Sequence, residues 1–273
     1  MYHVAVDGDM VDGLSLSRMK RAALAVALTV CAISACFAPA RPAWQRIQQT
    51  GTLRVGMDPS FPPFESVAAD GSLQGLDVDL AREIARRLGV EAHFVANLPY
   101  DGLYDALTAQ RVDLVISALA VDSRRMDDYV YSRSYFNAGQ VLVGRVGQAS
   151  VGSMSDLEGH RLAVVLGTEG DREGRRWARR LTGLVLAQYR TPAQALSAVK
   201  RGEMDVALVD HVSALQTLDE ARDLTIMGEP VIDVSYACAM RHDEEQLLQA
   251  VDGALISMED DGTMETLITR WLR

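Results

Sequence analysis

The sequence predicts a mixed α/β fold in two lobes, and three observations carry that reading. Strand-like and helix-like stretches alternate along the body of the chain, the pattern of layered α/β folds. A unit of helix followed by buried strand occurs twice. Ala106-Leu107-Thr108-Ala109 runs into Val112-Asp113-Leu114-Val115-Ile116, and Ala195-Leu196-Ser197-Ala198 into Met204-Asp205-Val206-Ala207-Leu208. Two apolar segments, Gly139 to Gly144 and Ser235 to Met240, flank the second unit and read as strands crossing between lobes. The expected division is residues 44–141 plus 237–273 for a first lobe built from both chain ends, with 142–236 inserted as the second. Two connecting strands make a hinge, which suits a protein that closes on a ligand.

The elements follow in order. Arg18, Lys20 and Arg21 precede a small apolar run, Ala22 to Phe37, of about 16 residues, short for a membrane span and right for a signal-peptide core. Met19-Lys20-Arg21 makes a normal basic start, so translation from Met1 and from Met19 both stay open. Ile33-Ser34-Ala35-Cys36 resembles a lipobox, which would place diacylglycerol on Cys36 and make residues 1–36 a leader. The rival is ordinary cleavage after Ala38-Pro39-Ala40. Either way the chain is expected to leave the cytoplasm.

In the body, Thr52 to Gly56 reads as a strand. Asp77 to Leu88 reads as a helix, with Leu80, Ile84 and Leu88 on one stripe and Gly89 ending it. Ala92 to Val95 is a strand, and helix Leu103 to Ala109 leads into Val112 to Ile116, a continuous apolar run as in a buried parallel sheet. From about Ser150 a second unit begins: strand Arg161 to Leu166, loop Gly167-Thr168, helix Arg172 to Leu181, strand Leu184 to Tyr189, helix Pro192 to Arg201 with proline in its first turn, and strand Met204 to Val209. The tail is helical. Leu247, Leu248, Val251, Leu255 and Met258 share one face, and after Gly262 so do Met264, Leu267, Ile268 and Trp271.

Composition narrows the function. Hydrophobic residues make up 48% of the chain, enough for a sizeable core, and the formal charge of -10 argues against nucleic acid. The arginines at 172, 175, 176, 179 and 180 alternate with Glu173 and Trp177 and read as a solvated helix face. If Cys36 is acylated, only Cys238 remains in the processed chain, in the apolar run Tyr236-Ala237-Cys238-Ala239-Met240, where a small core residue is expected. No Gly-x-Ser-x-Gly, Walker, His-Glu-x-x-His or Cys-x-x-Cys motif occurs, and His93, His160, His211 and His242 are scattered, so neither cofactor nor metal is expected.

The most informative stretch is Met57-Asp58-Pro59-Ser60-Phe61-Pro62-Pro63-Phe64-Glu65, a proline-stiffened aromatic loop just past a strand end and before Gly75-Leu76-Asp77-Val78-Asp79-Leu80. Such a loop is a platform for a small ligand. Arg125, Ser132-Arg133-Ser134-Tyr135-Phe136, Asp156-Leu157-Glu158-Gly159, Gly167-Thr168 and Asp205 to Asp210 follow in turn. In this order, from about Leu53 to Leu272, the chain resembles the bacterial extracellular solute-binding proteins of family 3, the polar-amino-acid receptors of ABC importers. The resemblance implies a periplasmic-binding-protein (Venus-flytrap) fold, a small amino-acid ligand, an ABC permease partner and a monomer.

It also implies a site. Arg125 falls where the family binds the ligand α-carboxylate, which a guanidinium meets with two parallel hydrogen bonds; the alternative is a surface arginine beside Arg124. Asp210, at the carboxyl end of a buried strand, falls at the α-ammonium partner, or caps the helix starting at His211. Phe61 maps to the aromatic over the ligand side chain, Asp58 to a position facing the positive end of basic ligands, and Tyr100 to a side-chain-pocket position. Phe64 anchors the loop. Of the turn Ser117-Ala118-Leu119-Ala120 only Ser117 keeps a hydroxyl, so Ala118 and Ala120 offer backbone alone. Thr168 is the second-lobe hydroxyl, and Glu169 beside it would repel a ligand carboxylate. With Asp58 and Asp210 also acidic, a basic or polar amino acid is favoured over glutamate or aspartate. The rival is an arogenate- or prephenate-type dehydratase on the same scaffold, with Glu169 as its general acid; fold alone does not decide function.

Overall fold

A computed structural model describes residues 42–148, 151–220 and 222–273. The leader, Cys36 and the cleavage position after Ala40 lie outside the described residues.

Helix Ala43–Thr50 precedes β1 (Thr52–Gly56). A small antiparallel sheet follows, made of β2 (Ser60–Phe61), β3 (Glu65–Val67) and β4 (Leu73–Gln74). Then come helix Leu76–Arg87, β5 (Glu91–Val95), helix Leu103–Thr108, β6 (Leu114–Val115) and the long β7 (Tyr129–Asn137). The next stretch holds β8 (Gln140–Arg145), β9 (Arg161–Val165), helix Glu169–Ala178, β10 (Val185–Tyr189), helix Pro192–Lys200, β11 (Val206–Asp210), helix His211–Glu220 and β12 (Leu224–Ile232). Finally β13 (Ser235–Arg241) leads to helices Glu245–Asp260 and Thr263–Leu272.

Two five-stranded sheets share one plan. In β5-β1-β6-β13-β7 the first three strands are parallel and β13 lies antiparallel between β6 and β7; in β10-β9-β11-β8-β12 the first three are again parallel and β8 lies antiparallel between β11 and β12. The repeated sequence unit has a repeated device. Asp113, just before β6, accepts from the Arg54 backbone N–H at 2.9 Å and from its guanidinium at 2.6 Å. Asp205, just before β11, does the same with Arg161 at 2.8 and 2.6 Å. Charge-assisted pairs of this kind set the register of neighbouring parallel strands.

Both chain ends build the core of the first sheet. Leu53, Val55, Leu80, Ile84 and Ile116 pack in one cluster with Leu247, Val251, Leu255 and Met258 of the tail, and Cys238 is buried there as expected. The second sheet has its own cluster around Val141, Val143, Leu196, Val199 and Val209. Helix Leu76–Arg87 buries the anticipated stripe. Its N-cap, Gly75, has φ 133°, and a Cβ there would lie 2.1 Å from the Phe64 carbonyl oxygen, so only glycine lets the loop and helix meet.

Three differences from the sequence expectation have physical causes. The helix expected from Arg172 starts at Glu169, because the Thr168 hydroxyl accepts from the Asp171 N–H and caps it. Its buried face is Gly170, Asp171 and Gly174, which gives no apolar periodicity to read. Strands β7 and β12, each at a sheet edge, lack a clear alternation, and the sequence alone does not mark them as strands. The stretches expected to cross between lobes each belong to one sheet: β8 to the second, β13 to the first. The change of sheet occurs just before each, at 138–139 and 233–234. There Ala138 N–H donates to Val234 O at 2.8 Å, and the Asn137 side-chain oxygen accepts from Gly139 N–H at 2.9 Å and Val234 N–H at 3.2 Å. Asn137 Nδ2 donates to Asp233 at 2.7 Å. A Cβ on Gly139 would lie 1.6 Å from Ile232 O, so the two backbones pass in direct contact.

Candidate functional site

A cavity of about 300 Å³ lies beyond the carboxyl ends of β1 and β6, lined by Asp58, Ser60, Phe61, Glu65, Tyr100, Ser117, Ala118 and Tyr236. Strand carboxyl ends are where open α/β sheets present ligand-contacting loops. The lining comes wholly from elements of the first sheet and the loops joined to it.

The proline-aromatic loop supplies one wall. Phe64 is buried, meeting Phe136 and Tyr236 edge-on at centroid distances of 5.5 and 5.3 Å. It anchors the loop, as the sequence suggested. Phe61 stacks on Phe64 at 5.7 Å yet remains 49% exposed, an apolar ring presented to the cavity. Tyr100 is 48% exposed opposite it. Asp58 Oδ2 accepts from the Tyr100 N–H at 2.9 Å, which fastens the two lining loops together.

The floor is unusually acidic. Ser117 Oγ accepts from Asp58 N–H at 3.0 Å and donates to Glu65 Oε1 at 2.8 Å. Asp77, beneath it, accepts from Ala118 N–H at 2.5 Å and Tyr135 Oη at 3.0 Å. Ala118 takes a left-handed conformation, φ 41°, to point its N–H that way. Burial raises the Glu65 carboxyl well above its ordinary value, reinforced by the charge of Asp77; burial likewise raises Asp77, against the hydrogen bonds from Ala118, Glu65 and Tyr135. Burial also pushes the Tyr236 hydroxyl up to about 12.

A second cavity, of about 600 Å³, adjoins through Tyr100 and is lined by residues 119–125 with Asp101 and Tyr104. Ala120 and Arg125 lie here. The Arg125 guanidinium sits 4.3 Å from the centre of the Tyr104 ring and 3.6 Å from Asp122, while Arg124 pairs with Asp122 at 2.9 Å. The ring contact separates the two arginines, which the sequence alone did not.

The structure therefore brings Asp58, Phe61, Tyr100, Ser117 and Ala118 to one cavity, with Ala120 and Arg125 in its neighbour. It does not add Thr168, Glu169 or Asp210 to either lining. Thr168 caps its helix, and Glu169 pairs with Arg172 at 2.9 Å on the solvent side. Asp210 Oδ1 accepts from Ser213 N–H at 2.8 Å, the cap role, although its charge reaches Tyr236. The Ser117 hydroxyl and the Ala118 N–H already have internal partners. Three residues lining the first cavity escape sequence reasoning: Ser60, Glu65 and Tyr236, the first of them inside the aromatic loop itself. Glu65 stands at the end of the aromatic loop with no local sign of burial, and Tyr236 arrives on β13 from the far end of the chain.

Residues 53–273 match the sequence model of the bacterial extracellular solute-binding proteins, family 3. The chain belongs to that family. It is 31% identical over 229 residues to the L-cystine-binding protein TcyJ of Escherichia coli strain K12, covering 83% of this chain and 84% of that protein. It is 29% identical over 262 residues to the histidine-binding periplasmic protein of Salmonella typhimurium, covering 93% and 97%. Among solved structures, an ancestral cyclohexadienyl dehydratase superposes with a TM-score of 0.72 at 26% identity, covering 86% of this chain and 98% of that one. Among the described residues no helix is long and apolar enough to cross a membrane, and no cluster of metal-ligating side chains is present.

Proposed function

We propose that this chain is an extracytoplasmic receptor that binds a small amino acid, basic or polar by preference, and delivers it to an ABC importer permease by closing two lobes. The observation that carries the reading is the first cavity: aromatic walls from Phe61, Tyr100 and Tyr236 over an acidic floor, with Arg125 in the adjoining cavity, in a chain of family 3. Aromatic walls take the ligand side chain, the acids favour positive charge, and Arg125 takes the α-carboxylate.

Asp210 meets the α-ammonium and Thr168 adds a hydroxyl to the carboxylate once the second sheet swings over the first. Closure stabilises the ligand because the ligand binds the closed state better. We place the division between lobes where the strands change sheet, at 138–139 and 233–234. The chain acts as a monomer held at the membrane through acylated Cys36 or released after Ala40, which an intact-mass measurement of the processed protein distinguishes.

The second reading is a dehydratase, favoured by the fold match to the ancestral enzyme. Its candidate acid, Glu169, is exposed and pairs with Arg172 at 2.9 Å, and would reach the ligand only through the same closure that brings in Thr168. The deciding experiment is thermal unfolding of the mature domain against the standard amino acids, since a ligand bound only by the folded state raises the midpoint, by about 2.7 kcal/mol of stability at a hundredfold excess over Kd. A shift with arginine, lysine, histidine or glutamine supports the receptor. No shift with any amino acid, together with turnover of arogenate or prephenate, replaces it with the enzyme.

A further inference from the structure

Glu65 and Asp77 form a carboxyl pair at the acidic floor of the first cavity, and the receptor reading uses its charge but not its proton. Glu65 is 1% and Asp77 0% exposed, on two different elements, β3 and helix Leu76–Arg87. Each has one oxygen fully satisfied: Glu65 Oε1 by Ser117, Asp77 Oδ2 by Ala118 and Tyr135. Each also has one buried oxygen with no donor from the other described residues, Glu65 Oε2 and Asp77 Oδ1. The two carboxyls are held side by side: Asp77 N–H donates to Phe64 O at 2.9 Å, next to Glu65, and their partners Ser117 and Ala118 are consecutive residues. Two ionised carboxylates so placed would leave two orphaned acceptors and a like-charge repulsion. A single proton between them removes both costs.

The groups acting on the pair are Asp58 from the ligand loop, Tyr135 from β7, Cys238 and Tyr236 from β13, and Tyr100 from the neighbouring turn. None of these described groups is a cation. A compensating positive charge has to arrive from outside, and the approach to the pair is the cavity that Glu65 lines.

We propose that Glu65 is the residue that reads ligand charge: in the empty receptor it shares one proton with Asp77, and a cationic ligand side chain entering the cavity displaces that proton to solvent. The step is an exchange. The O–H bond of the Glu65–Asp77 pair breaks, its proton passes to water, and the pair's second negative charge is balanced by the ligand cation. Burial, which raises both carboxyls, keeps the proton in place at neutral pH until the cation arrives. A neutral side chain such as glutamine's leaves the proton where it is. This rests on the receptor reading above and extends it to how basic ligands are told from neutral ones of similar length.

The test is calorimetric titration of the mature domain with L-arginine and with L-glutamine at one pH near 7, each in two buffers of different ionisation enthalpy. The slope of observed heat against buffer enthalpy counts protons exchanged. Both probes carry the same α-groups, so their difference isolates the side chain. The expected result is about one proton released with arginine and none with glutamine, with arginine affinity rising by up to about tenfold per pH unit. Glu65→Gln is expected to abolish the release. If that variant does not fold, the arginine-minus-glutamine count on the unaltered protein decides by itself. Arginine binding without proton release, equal release in Glu65→Gln, or binding of glutamine but not arginine each overturns the proposal while leaving the receptor reading intact. No binding of any amino acid removes both.

Discussion

Replacing Arg125 by alanine should separate binding from folding, because the structure gives this side chain little to do in the empty protein. It is 49% exposed, and its two contacts are the Tyr104 ring and one carboxylate oxygen of Asp122 at 3.6 Å. An exposed cation–π contact contributes about 0.5–1 kcal/mol, and a pair of this exposure and length, screened by solvent, adds a few tenths at most. The folded state thus loses about 1 kcal/mol, a midpoint shift of roughly 2–4 °C in a domain of this size. Loss of a guanidinium from a bound carboxylate costs far more, about 2–5 kcal/mol, or roughly thirty- to several-thousandfold in Kd. Calorimetric titration with whichever amino acid raises the unfolding midpoint most, paired with a ligand-free thermal scan, measures both numbers on one sample. Arg125→Lys keeps the charge and loses the planar fork, and should fall between. An alanine variant that binds within about threefold of the unaltered protein, or one that loses binding only because it no longer folds, refutes the assignment.

Other consequences are as direct. Gly139→Ala places a methyl group against Ile232 O and should destabilise the protein by about 2 kcal/mol or more, lowering the unfolding midpoint and altering the compaction that scattering detects on ligand addition. In the raised Glu65–Asp77 pair the folded state keeps a proton that the unfolded chain has given up above the ordinary carboxylate range, so ligand-free stability should fall as pH rises from there toward about 10; a flat midpoint from pH 6 to 9 would count against the pair. Asp171 has the opposite sign: Arg175, against burial, holds it near 2, so its contribution is present above pH 4 and lost on acidification toward 2, a loss that Asp171→Asn should remove from the acid limb of the melting curve. Cys238, buried with its thiol pushed up to about 12, should react with a thiol reagent only at the rate of unfolding.

Most of the fold was legible because apolar spacing is a local signal. The stripes of Leu76–Arg87 and of the two tail helices, and the apolar run through Leu114 and Val115, needed no knowledge of what they pack against. Helix Glu169–Ala178 defeated that reasoning because glycine and aspartate form its inner face. The first-sheet half of the site was legible for a related reason: Asp58 and Phe61 sit on one stiff loop, and Ser117 and Ala118 on the turn beside it. Glu65 and Tyr236 were not, since what makes them lining residues is contact with Asp77, Ser117 and Phe64 from remote segments. In Asp210 the sequence carried two compatible roles, and the capping role is the one formed in the ligand-free chain, while Thr168, read from the sequence only as a ligand hydroxyl, caps its helix.

The Asn137 side chain ties both passages between the sheets into a single knot. Its oxygen accepts from Gly139 and from Val234, one on each passage, and its nitrogen donates to Asp233. Neither passage can twist without dragging the other, so bending at this point is one coordinate rather than two. The stiffness of that knot then sets what share of the ligand's interaction energy goes into bending and what share into grip. A substitution there, remote from every group that touches the solute, would retune affinity and residence time together while leaving selectivity alone.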